Sequence, residues 1–139
     1  MTQKSLRLQK VMDLELHRFL GVSDLASHEG RGTLSFVVGS RTANPAGMLH
    51  GGVVYLLCDV CAYAGLLSVL PDDREAVTHD IHVSVLRSAN WGDTVQMTSR
   101  ILKQGKTLCF IDVQAVAADE LIATAGITKS LIPRAEPPF

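Results

Sequence analysis

Near the start of the chain, Leu8, Met12, Leu16 and Phe19 recur at three- to four-residue spacing and predict one amphipathic helix with a buried stripe. Gly30 and Gly32 then mark a turn, and Thr33 to Val38 (TLSFVV) has the β-branched and aromatic content of a strand. A loop dense in Gly, Asn and Pro leads to Gly51. From Gly51 to Leu70 almost every residue is apolar (GGVVYLLCDVCAYAGLLSVL), which predicts a long helix buried on most faces and ended near Pro71. Four strand-like runs follow: Ala76 to Leu86, Asp93 to Leu102, Thr107 to Ala117 and Leu121 to Ile132. The short turns between them, SANWGD, KQGK and ADE, predict antiparallel neighbours in a meander. The expected class is α+β: an antiparallel β-sheet wrapped around a long central α-helix, with an N-terminal helix. Residues 1–139 read as a single domain, 1–29 being the N-terminal helix and its connection and 133–139 a frayed tail.

Composition narrows the function. Apolar residues form 47% of the chain and charged residues 19%, which excludes a disordered or highly charged tail. A net charge of −1 argues against nucleic acid as the main partner, though local basic residues can still hold one small anion. The long apolar segment is long enough to span a bilayer, but Asp59 near its centre would cost at least ~2.5 kcal/mol there. No membrane association is therefore expected. Lys4, Arg7 and Lys10 have the look of a targeting presequence, yet Asp13, Glu15 and the apolar stripe favour a helix of the folded domain. An odd number of cysteines, three, without a secretory signal points to a reducing, cytoplasmic setting.

The segment Asn44-Pro-Ala-Gly-Met-Leu-His50-Gly51-Gly52, followed by Asp59, carries the chemistry. Paired glycines at a helix start expose N–H groups at the positive end of the helix dipole, where they can polarise a carbonyl oxygen. His50 just before them can cap the helix or fix the loop; the simpler reading is that the glycines only permit a tight turn. Asp59, inside an apolar helix, needs either partners or a task. It lies eight residues after Gly51, about 12 Å further along the helix. A general base must come within about 3 Å of the proton it takes. One helix cannot easily offer both groups to one small reacting centre, whereas two antiparallel copies can. If both act on one carbonyl centre, the site spans a dimer interface.

These residues resemble the hot-dog-fold acyl-CoA thioesterases of the PaaI type, associated with phenylacetate degradation, and their animal relatives. The likeness runs from about Thr33 onward. It rests on N-P-x-G-x-x-H-G-G (Asn44 to Gly52), Asp59, G-D-T-V (Gly92 to Val95), G-K-T (Gly105 to Thr107) and A-T-A-x-x-T (Ala123 to Thr128). The resemblance implies hydrolysis of an acyl-CoA, aromatic or medium-chain, to free acid and CoA. The Gly51 N–H, with help from Gly52, would polarise the thioester carbonyl. Asp59 would be the general base or the nucleophile, Asn44 would position water or substrate, and Thr78 would be the hydroxyl on the next strand. It also implies that Asn and Gly come from one subunit, Asp and hydroxyl from the other. Arg87, Lys103, Lys106 and Thr107 match residues that bind CoA, although Arg87-Ser88-Ala89 departs from the usual R-P-A. Tyr55, Val60, Tyr63 and Leu66 are expected to line the acyl pocket. No metal or redox cofactor is implied, CoA being part of the substrate, and a homodimer assembling into a homotetramer is expected.

Other signals weigh less. Cys58-Asp-Val-Cys61 spells CxxC, but it lies mid-helix among apolar residues, which favours core packing over redox or zinc chemistry. His79 and His82, three apart on a strand, should face opposite sides and share no metal. An enoyl-CoA hydratase or dehydratase is the alternative enzyme, but Thr42 stands where that loop would carry an Asp. A non-catalytic acyl-CoA sensor is the alternative binder, but Asp59 disfavours it.

Overall fold

The structure is a computed structural model and describes residues 2–135. Two short helices, α1 (Gln3–Asp13) and α2 (Glu15–Phe19), precede strands β1 (Ser23–His28) and β2 (Arg31–Val37). Helix α3 (Gly51–Leu67) follows, then β3 (Arg74–Val85), β4 (Thr94–Gln104), β5 (Leu108–Ala117) and β6 (Glu120–Pro133). All six strands form one antiparallel sheet in the order β1-β2-β4-β5-β6-β3, and α3 touches every strand of it. This is the expected sheet around a central helix.

The single N-terminal helix becomes two because Leu14 takes an extended conformation, ψ 130°. That break rotates the second segment, so Leu16 and Phe19 stay exposed while His17 and Leu20 join Val11 of the first segment inside. The imidazole of His17 meets the Val11 carbonyl oxygen at 2.7 Å and ties the two segments together. Strand β1 was not anticipated, since SDLASH has no apolar alternation. It pairs with β2 through a turn at Glu29 and Gly30, both at positive φ, a geometry that matches the twist of a two-residue hairpin.

The expected four-strand meander is also corrected. Strands β4, β5 and β6 are consecutive neighbours, but β3 pairs with β6 and forms the far edge. The connection 86–93 is long enough to cross the intervening strands, whose combined spacing is about 14 Å. On its way it bridges to the loop before α3 through Met48 and Asn90. A bulge lies between Thr78 and Asp80, so Ala76 and Thr78 and then Ile81 and Val83 stand opposite inward residues of β6. The simple alternation assumed for His79 and His82 therefore does not hold.

Gly32, expected at a turn, lies inside β2, where it meets α3. A Cβ at Gly32 would stand 2.5 Å from the Cys61 carbonyl oxygen, and one at Gly65 2.7 Å from the Gly32 nitrogen. Ser99 Oγ seals this crossing, accepting from Gly32 N–H and donating to the Cys61 carbonyl. The core beneath contains Leu34, Phe36, Leu57, Leu66, Met97 and Val113. Cys58, Cys61 and Cys109 are free and buried, and burial pushes the first two thiols up to about 12.

Helix α3 is not wrapped on every side. Gly52 and Tyr55 are exposed and Leu56, Asp59 and Tyr63 half-buried, a stripe at helical spacing along one face. Among the described residues no helix is long and apolar enough to cross a membrane. Of the expected tail, Pro133 closes β6 and the Arg134 N–H donates to the Asp73 carbonyl, so 133–134 are held; 136–139 lie outside the described residues.

Candidate active site

The loop before α3 is built on itself. Asn44 Oδ1 accepts from the N–H groups of Ala46 (2.9 Å) and Met48 (3.1 Å), and the Asn44 N–H donates to the Met48 carbonyl. Its side-chain oxygen is thus spent on the loop, and the amide N–H groups are what it has left to offer. His50 is the N-cap of α3, its Nδ1 accepting from the Gly52 N–H at 2.9 Å. Of the two expected carbonyl-polarising groups, this removes Gly52, whose donor is already used. The Gly51 N–H has no partner among the described residues and stands at the positive end of a 17-residue helix. The Tyr55 phenol lies beside it, 3.6 Å from where a Gly51 Cβ would be.

Two turns along α3, Asp59 meets the inward faces of β3 and β6. Thr78 Oγ1 lies 2.9 and 2.8 Å from its two carboxylate oxygens, so the hydroxyl expected from the next strand is in place. The ammonium of Lys129, a residue with no role in the sequence reading, lies 2.8 Å from Asp59 Oδ1 and 3.0 Å from Thr78 Oγ1. Lys129 is 3% exposed and Asp59 33%. The signal was present: β6 alternates Ala123, Ala125, Ile127, Lys129 and Leu131 inward, and a lysine in that series needs a counter-charge.

A cavity of about 310 Å³ opens over this cluster, walled by Val60, Tyr63 and Ala76 and roofed by Val11, Leu14 and His17. It includes neither Asn44 nor Gly51. One chain therefore keeps two groups apart: a helix start with a free N–H, and a carboxylate in a pocket two turns away. Tyr63 donates to Glu75 Oε1 at 2.7 Å, and burial, then the Glu75 contact, push its phenol up to about 12. Glu75 in turn holds the buried Arg7 guanidinium at 3.0 Å. A second cavity of about 250 Å³ shares Val11, Leu14 and Tyr63 with the first and reaches this ion pair. Of the expected pocket residues, Val60 and Tyr63 line the carboxylate cavity, Tyr55 belongs to the helix start, and Leu66 is sealed in the core.

The expected CoA-binding residues do not form one cluster. Arg87 is ion-paired with Glu120 beside the β5–β6 turn, whereas Lys103, Lys106 and Thr107 are exposed at the β4–β5 turn. Strand β5 separates those turns by about 30 Å. Among the described residues, no group of three or more His, Cys, Asp or Glu is placed to hold a metal ion.

Residues 46–124 match the model of the thioesterase superfamily, and the chain belongs to that family. It is 33% identical over 138 residues to human acyl-coenzyme A thioesterase 13, covering 94% of this chain and 96% of that one. A thioesterase structure from Haemophilus influenzae superposes with a TM-score of 0.84 at 24% identity, covering 100% of this chain and 96% of the other. The PaaI protein of the E. coli phenylacetic acid degradation operon superposes at 0.80 with 23% identity, over 93% and 94% of the two chains. The structural likenesses establish the hot-dog fold, and the sequence match establishes the family.

Proposed function

We propose that the protein is an acyl-CoA thioesterase that converts an aromatic or medium-chain acyl-CoA and water to free acid and CoA, in a site shared by two subunits. The observation that carries this reading is the half-site geometry. Asp59, Thr78 and Lys129 share one pocket, while the unpartnered Gly51 N–H and the Asn44 amide stand at the other end of the helix segment. Two α3 helices packed antiparallel along the Gly52–Tyr55–Asp59–Tyr63 stripe bring the complementary halves together twice. The outer edge of β3, unpaired within the chain and bearing exposed Val77, Ile81 and Val85, suits pairing with its own copy across the same axis.

In such a site the Gly51 N–H of one subunit polarises the thioester carbonyl, and the Asn44 amide orients substrate or water. Asp59 of the other takes a proton from water as the water oxygen bonds to the carbonyl carbon. Collapse of the tetrahedral adduct breaks the C–S bond and expels the CoA thiolate. A carboxylate engaged at both oxygens by Thr78 and Lys129 suits a fixed base better than a nucleophile, which must advance onto the carbonyl. Val60 and Tyr63 give the acyl group an apolar wall. A homodimer, and a homotetramer formed from two of them, working in the cytoplasm complete the reading. Thiol release from a panel of phenylacetyl-, benzoyl- and C6–C12 acyl-CoAs tests it. Turnover that Asp59→Asn abolishes supports it, and no release from any ester overturns it.

A further inference from the structure

We propose that Lys129 is a positioning residue of this thioesterase site, setting a positive charge against Asp59 and fixing which carboxylate oxygen meets the water; this rests on Asp59 being the reacting carboxylate. An ammonium as buried as Lys129 is stable only beside a counter-charge, and among the described residues Asp59 is the one carboxylate lining the cavity. Of its three protons, one is directed at Asp59 Oδ1, one at Thr78 Oγ1, and the group lies 5.6 Å from the Tyr63 ring centroid. Thr78 has a single proton and can serve only one carboxylate oxygen at a time. Oδ1 is held by the charged ammonium and Oδ2 by at most the neutral hydroxyl, which leaves Oδ2 the oxygen better able to accept a proton from water.

The other titratable groups packed about this ammonium do not duplicate its charge. His17 on α2 is turned to the Val11 carbonyl, Tyr63 on α3 donates to Glu75, and Cys109 on β5, opposite Lys129 in register, is a buried neutral thiol. Among the described residues lining the cavity, His17 is the one other basic side chain. Removing the ammonium leaves the Asp59 carboxylate without that facing charge. The base is then lost from the acid side, in kcat rather than in KM, because the ammonium is bonded to Asp59 and Thr78.

The test is the pH dependence of kcat and KM with octanoyl-CoA for the assembled protein and for Lys129→Met and Lys129→Arg. In parallel, carboxyl-¹³C-aspartate NMR follows the Asp59 resonance, assigned by its absence in Asp59→Asn. The expected result is an acid limb and an Asp59 midpoint both moved up by about one to three pH units in Lys129→Met and restored toward the starting profile in Lys129→Arg. Lys129→Gln, which keeps hydrogen bonding and removes the charge, carries the same expectation if the methionine variant does not assemble. Loss of activity by the same factor at every pH, with the Asp59 midpoint unmoved, overturns the role of Lys129 alone. No CoA release from the unsubstituted protein at any pH overturns the thioesterase reading and this role with it.

Discussion

Lys129 and Asp59 form an ion pair at 2.8 Å that joins β6 to α3, with the lysine almost wholly buried and the aspartate one-third exposed. The pair makes the two simplest substitutions of Asp59 unequal. Asp59→Ala strands a buried ammonium and is expected to lose about 3 kcal/mol of stability, whereas Asp59→Asn keeps a carbonyl acceptor for it and loses less. Both should abolish turnover. Urea unfolding of the two variants beside the unsubstituted protein checks the ordering.

The free N–H at Gly51 can be removed without removing the helix. Gly51 is the first residue of α3, where proline is tolerated, and His50 before it already has φ −70° and ψ 128°, which a following proline requires. Gly51→Pro should therefore fold and assemble with unchanged circular dichroism while kcat falls about 100-fold or more. A comparable fall in Gly52→Ala would have a different origin, since a Cβ there meets the His50 ring at 3.0 Å and disturbs the cap. Steady-state kinetics with octanoyl-CoA separates the two, because Gly52→Ala should also lower the melting temperature.

The contact between Gly32 and Gly65 sets how closely the helix lies on the sheet. Gly65→Ala places a methyl group 2.7 Å from the Gly32 nitrogen and from Ser99 Oγ, inside a crossing with no soft side chain to give way. The expected cost is about 1–3 kcal/mol, read as a lower urea midpoint at unchanged slope.

Much of this was legible in the chain, and the parts that were not have identifiable causes. The Gly51–Leu70 run and the Asp59 within it gave the helix and the carboxylate, and Thr78 followed from the resemblance. Strand β1 was hidden because Ser23–His28 has little burial to impose a pattern. The place of β3 at the far edge was missed because a connection of eight residues looks like a hairpin loop yet can cross two strands. Lys129 was readable as a charge in an inward series, but only the register of β6 against α3 shows that its partner is Asp59. Leu66, expected in the acyl pocket, faces the core, because helical spacing alone does not say which side of a helix apolar all round meets the sheet.

Alkaline conditions should unfold the protein early. Burial pushes Cys58 and Cys61 from 9.0 to about 12 and Tyr63 from 10.0 to about 12. Between those limits the unfolded chain has lost protons that the folded chain retains, so stability falls as pH rises. The contribution of these groups is whole below pH 9 and is lost progressively toward pH 12. Urea midpoints at pH 8, 10 and 11 should decrease in that order. At pH 8 the three thiols should resist iodoacetamide until the chain is unfolded, as mass spectrometry of the labelled protein would record.

The most direct test of a site shared between subunits is complementation between two inactive chains. Gly51→Pro lacks the carbonyl-polarising half and Asp59→Asn lacks the base, and each alone should release little or no CoA. Co-expressed, they regain one intact site per heterodimer, and octanoyl-CoA turnover of the randomly paired mixture should return to about a quarter of the unsubstituted rate. A mixture no more active than its parents, with mixed dimers shown to be present by mass spectrometry, would contradict the shared site.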